Sequence, residues 1–152
     1  MNAAVPVSVT YKVQYAVGTV CSNGMPSHVI QPPINLDGSS VFKSGSTVPT
    51  KFTVCGTNGT PIGTAGVVQG YGLLAAANTP NVTVNELPYS NTPDTTFRWD
   101  PTAQQWIFNQ GTGKKSVDPS NGLPTLGQVG TTYYLGIQLN DGSWIYFAYT
   151  LK

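Results

Sequence analysis

The side chains able to do acid–base chemistry near neutral pH are few in this chain, and they are scattered. Six carboxylates (Asp37, Glu86, Asp94, Asp100, Asp118 and Asp141) and a single imidazole, His28, make up the set. Most of the carboxylates stand beside Gly or Pro in apparent turns, where an Asp side chain accepts backbone amides. Glycoside hydrolysis needs two carboxyls facing each other across roughly 5–9.5 Å, and no spacing here pairs two of them. A Ser/His/Asp nucleophile would rest on His28 alone, in a Pro-rich stretch without a nucleophile elbow. Asp94, Asp100 and Asp118 are oxygen ligands of the kind calcium takes, but EF-hand and Gly-Asp repeat spacings are absent, so turn building is the favoured role. The expectation is a non-enzyme with no catalytic residue, no cofactor and no metal.

Cys21 and Cys55 are the only cysteines. Two thiols cannot close a zinc site, and His28 belongs to no Cys-x-x-Cys arrangement. In a Thr/Asn/Gly-rich chain an even count suggests one disulfide, contributing about 3–4 kcal/mol by constraining the unfolded state. Two unrelated, partly buried thiols are the alternative. Lys51 has an ordinary reading, an ion pair with a carboxylate such as Asp100 or plain solvent exposure. A sharper one is an isopeptide bond to an Asn such as Asn109, which requires an apolar pocket and an adjacent acid. Asn58-Gly59-Thr60 and Asn81-Val82-Thr83 match the N-glycosylation pattern, which chance supplies readily in such a chain.

The elements that must position these groups read as strands. Charged residues are 9% of the chain, against roughly 25% in an ordinary soluble domain. Val, Thr, Tyr and Phe recur, and no helix-length window concentrates Ala, Leu, Glu and Lys, so the composition is all-β. Net charge is +1 with the basic residues dispersed, which excludes the basic stripe that nucleic acid requires. No run approaches the roughly 20 apolar residues of a membrane span. Period-two alternation predicts a strand over 7–17, with Val7, Val9, Tyr11, Val13 and Tyr15 on one face. Residues 18–37 are irregular, and Pro32-Pro33 makes that stretch an edge or a crossover. Further strands are predicted over 46–55 and 82–85; 67–77 reads as a strand with a bulge at a glycine, favoured by length and β-branching over a short helical turn before Asn78-Thr79-Pro80. A hairpin turns at Asp100-Pro101-Thr102 between 95–100 and 105–109. After a loop over 110–130 come strands over 131–139 and 143–151.

The last hairpin fixes its own register. A two-residue turn at Asp141-Gly142 would set Ile145, Phe147 and Tyr149 on the face opposite Leu135 and Ile137. A three-residue loop, Asn140-Asp141-Gly142 with a left-handed Gly142, pairs Ile137 with Ile145, Leu135 with Phe147 and Tyr133 with Tyr149. The other face then carries Tyr134, Trp144 and Tyr146. Three aromatics on an outer face imply contact with something: a loop of the same chain such as 18–38, a protein or filament neighbour, or a sugar.

The segment 41–52, ending Thr47-Val48-Pro49-Thr50-Lys51-Phe52, resembles the PxKF domain, an immunoglobulin-like module of bacterial secreted and surface proteins, at Pro49, Lys51 and Phe52. Phe97-Arg98-Trp99-Asp100-Pro101-Thr102 through Asn109 is similar to its central hairpin, and 135–152 to its terminal one. The resemblance covers 34–152; residues 1–33 match less well. It implies an immunoglobulin-like antiparallel β-sandwich, secretion, a place near a chain's C-terminus, and no established catalysis. Trp144 and Tyr146 depart from it, standing where Thr-like residues are expected. The chain is thus expected to be one domain, 1–152, lacking a signal peptide at Met1-Asn2-Ala3-Ala4 and best explained as a mature or excised fragment. The expected function is a non-catalytic extracellular structural or adhesive module, a self-assembling surface or filament subunit, with other protein domains or copies of itself as partners. The alternative is a carbohydrate-binding module that takes glycan on its exposed aromatics.

Overall fold

Alternation of β-branched and aromatic residues with small polar ones gives this chain sheet faces to bury and no helical stripe. The computed structural model describes residues 14–86, 92–113 and 126–152, and these hold strands and turns without a helix. In chain order the strands are β1 (Val29–Gln31), β2 (Val41–Phe42), β3 (Thr47–Thr53), β4 (Val68–Asn78), β5 (Arg98–Asp100), β6 (Gln105–Gly111), β7 (Thr131–Leu139) and β8 (Trp144–Leu151). They form two four-stranded sheets, ordered β1-β3-β6-β5 and β2-β8-β7-β4. Pairing is antiparallel throughout except where β2 lies parallel to β8. The expected all-β sandwich is present.

The inner faces supply the core. Val48, Phe52 and Phe108 from one sheet meet Leu135, Ile137, Phe147, Tyr149 and Leu151 from the other, all buried. Each such side chain contributes about 1.5–3 kcal/mol on leaving water. Phe52 and Trp106 are stacked at 6.5 Å, and Phe42 meets Tyr149 edge-on at 5.5 Å. The Cys21–Cys55 disulfide is formed, with its Cα atoms 5.9 Å apart, and ties the segment before β1 to the end of β3.

The last hairpin has the expected register. Tyr133 faces Tyr149, Leu135 faces Phe147 and Ile137 faces Ile145, with Gly142 at φ 84° in the loop. That positive φ is open to Gly at no steric cost, and the apolar pairing selects a loop of three residues over one of two. β4 matches the strand read over 67–77, and its register slips between Val68 and Gly70 and between Leu73 and Ala75. The Asp100 turn is present too, its carboxylate accepting the amides of Thr102 at 2.9 Å and Ala103 at 3.2 Å.

One expected strand is absent, and another falls mostly outside the described residues. Residues 7–13 lie outside the described residues, and 14–17 form no strand. Tyr15 is instead buried, its hydroxyl donating to Asn140 at 2.5 Å and its amide to Asp141 at 3.3 Å. Residues 82–85 form no strand either, because Asn85 is used as a clamp. Its side chain accepts from the Val41 amide at 2.5 Å and donates to the Ser39 carbonyl, while its own amide donates back to Val41. Conversely, 29–31 is a strand that the irregular reading of 18–37 omitted; it is an edge, one of the two roles that Pro32-Pro33 allowed, and ends at Gln31.

Candidate functional site

The aromatic face predicted from the hairpin parity exists. Tyr134 pairs with Ala148, Gly136 with Tyr146 and Gln138 with Trp144, so these residues share the outer face of the β2-β8-β7-β4 sheet. Trp144 and Tyr146 hold their rings parallel to within 3°, centroids 6.1 Å apart. Gly136 makes this pose possible. A Cβ there would sit 2.9 Å from Trp144 Cε3 and 3.0 Å from Leu74 Cδ1, so both side chains rest on bare backbone. Two aromatic planes are thereby held parallel on one face.

The segment over 36–38 walls one side of this face, and Gly38 packs on Ala148. It does not cover the rings: Tyr134 is 45% exposed and Tyr146 64%. Between wall and platform lies a hollow of about 390 Å³ lined by Leu36, Asp37, Leu74, Tyr134 and Tyr146. Hydrogen bonds from the Ser39 hydroxyl and amide lower the Asp37 carboxyl below its usual range, so the wall carries one fixed negative charge.

A larger hollow, which sequence reasoning missed, opens between the two sheets along the edges formed by β4 and β5. Its volume is about 660 Å³, and Tyr71, Phe97, Trp99, Trp106 and Phe108 furnish its apolar surface. Trp106 is anchored by donating its indole N–H to the Ile62 carbonyl at 2.9 Å. Arg98 is the one charged residue lining it among the described residues, and its guanidinium is held by Asp94 at 2.6 Å. The aromatic run from Phe97 to Trp106 was a legible signal, but its meaning depended on which sheet edges came together.

His28 does meet a serine and an aspartate, although in the wrong order for nucleophilic catalysis. Its Nε2 lies 2.7 Å from Ser143 Oγ, and the Ser143 hydroxyl donates to Asp141. In a catalytic triad the imidazole stands between hydroxyl and carboxylate and takes the hydroxyl proton. Here the serine stands between, and its proton is committed to the carboxylate. Burial pushes the Asp141 carboxyl up, but bonds from the Ser143 hydroxyl and amide and the Tyr15 amide, with the nearby His28, outweigh it and leave it lowered. The cluster pins the segment before β1, through Tyr15 and His28, to the β7–β8 loop.

The remaining predicted residues fall on the β1-β3-β6-β5 sheet. Pro49 and Phe52 are buried, while Lys51 is half-buried and makes no ion pair with Asp100, whose Oδ1 is taken up by the turn. Lys51 pairs with Ile107 and Pro49 with Asn109, so Lys51 and Asn109 are diagonal neighbours; no hydrogen bond joins them, and the buried Asn109 Oδ1 is without a partner. Among the described residues no three His, Cys, Asp or Glu side chains gather to hold a metal, and no helix is long and apolar enough to cross a membrane. No protein-family model matches the chain, and no curated protein or solved structure does so significantly.

Proposed function

We propose that this chain is a non-catalytic extracellular structural or adhesive module, a subunit of a surface assembly, working through the Tyr134/Trp144/Tyr146 face. The parallel, outward-facing Trp144 and Tyr146 rings carry the reading. Tyr and Trp offer large contact area with few rotors to freeze, which is why they dominate the energetics of protein interfaces. Low charge supports contact with another copy or a neighbouring domain, since little repulsion or desolvation opposes it. A disulfide fits an oxidising compartment outside the cell. The PxKF resemblance supports the same location and the absence of catalysis. The test is concentration-dependent assembly of the purified protein, seen by light scattering and electron microscopy. Trp144→Ala and Tyr146→Ala should weaken assembly; a strict monomer with no captured domain partner sinks the reading.

The parallel rings also favour a second reading, a glycan platform, because the flat apolar faces of sugars stack on such surfaces. A glycan screen separates the two. Binding that Trp144→Ala abolishes would establish it, and an empty screen would remove it.

A further inference from the structure

The four sheet edges are unlike one another. β1 and β5 have three residues each and β2 has two, and β2 is further clamped by Asn85. Short edges like these expose too little backbone to template another chain. β4 is different. It runs for 11 residues, Val68–Asn78, contains no charged residue and no Pro, and ends the β2-β8-β7-β4 sheet with no further strand beside it among the described residues. Its C-terminal half stands clear of the sandwich: Leu74 is 52% exposed, and Ala75, Ala76 and Ala77 are exposed on both faces of the strand.

We propose that β4 pairs antiparallel with β4 of a second copy across a two-fold axis, joining two sheets into one of eight strands. The inference rests on the reading of the chain as a self-associating module and names the contact. An unpaired row of amides and carbonyls is satisfied by an extended backbone, which makes the occupant a strand. Its identity as a second copy follows from self-complementarity. With the axis near Ala76, Ala75 lies opposite the partner's Ala77, so small uncharged side chains meet and no charge is buried. Two-fold antiparallel pairing preserves side-chain parity, so the outer face continues across the junction. Ala75 pairs with Tyr134, and Leu74 reaches Gly136 beneath Trp144, so the aromatic platform runs up to this edge. Pairing through β4 sets two platforms on one continuous surface.

Sedimentation velocity over a concentration series reads the dimer directly. Ala75→Lys with Ala77→Lys places like charges opposite each other and should weaken dimerisation about tenfold or more. The matching double variant with Glu should do the same alone. An equimolar mixture of the two should dimerise again, since each Lys then faces a Glu. Both positions are exposed, so melting temperatures should stay close to that of the unchanged chain. Amide exchange gives a readout without substitution: protection of 73–78 should rise with protein concentration. A monomer at every concentration, a dimer indifferent to these variants, or a mixture that fails to recover overturns the pairing. A dimer lost on Trp144→Ala but unaffected by the Lys variants overturns the edge while leaving the aromatic-face reading intact.

Discussion

Trp144 rests on Gly136, close enough that a single methyl group at that position would meet the indole at 2.9 Å. Removing backbone freedom by Gly→Ala stabilises a protein by about 0.4–1 kcal/mol where the residue fits, while overpacking costs about 1–3 kcal/mol. Gly136→Ala should therefore cost at most about 2 kcal/mol, because the half-exposed indole can lift away. The larger effect falls on the platform. Indole emission, compared with that of Trp144→Phe, should shift toward that of solvated tryptophan, and an unchanged spectrum would show that the ring does not depend on this floor.

Gly63 stands in the same relation to Trp99 but tighter, with a built Cβ only 2.2 Å from the indole Cε2. Gly63→Ala should displace Trp99 from the wall of the inter-sheet hollow at a cost of about 1–3 kcal/mol. Denaturant titration monitored by tryptophan emission measures it; unaltered stability would argue that Trp99 lies elsewhere.

The disulfide closes a loop with sequence separation 34 between two buried cysteines. Replacing both by Ser should lower stability by about 3–4 kcal/mol. Equilibrium unfolding with and without reductant provides the check, and a loss under about 1 kcal/mol would contradict it.

Asp141 sets an acid limit. Its folded-state pKa is lowered from 3.8, so the carboxylate stabilises the fold fully above that unfolded value and ceases to as pH falls through the folded one. Stability should decline below about pH 4. In Asp141→Asn that part of the decline should be missing, and Tyr15 should exchange its amide faster at neutral pH. A variant with an unchanged acid profile would remove Asp141 from this role.

Local turn chemistry made much of this fold legible. Gly142 and the apolar set of 133–149 were enough to fix the register of β7 on β8, and with it the aromatic face. Asp100-Pro101 located the β5–β6 turn for the same reason, since both cues act within a few residues. β1 was hidden because three residues carry no period, and its pairing with β3 is long-range. Asn85 read as part of a strand because a side chain that clamps a distant backbone leaves no local trace. The flat pose of Trp144 depends on a diagonal neighbour, Gly136, and the inter-sheet hollow depends on two edges separated by some 20 residues of chain. Neither is encoded in alternation.

Tyr15 is bonded to the β7–β8 loop at one end of β8, and at the other end of that strand Lys152 donates its amide to Phe42. The eight residues between span about 26 Å along the strand axis. Tension applied between those two points therefore runs parallel to the strands. It loads the rungs on both sides of β8 in shear, so that they share the force rather than peel one by one.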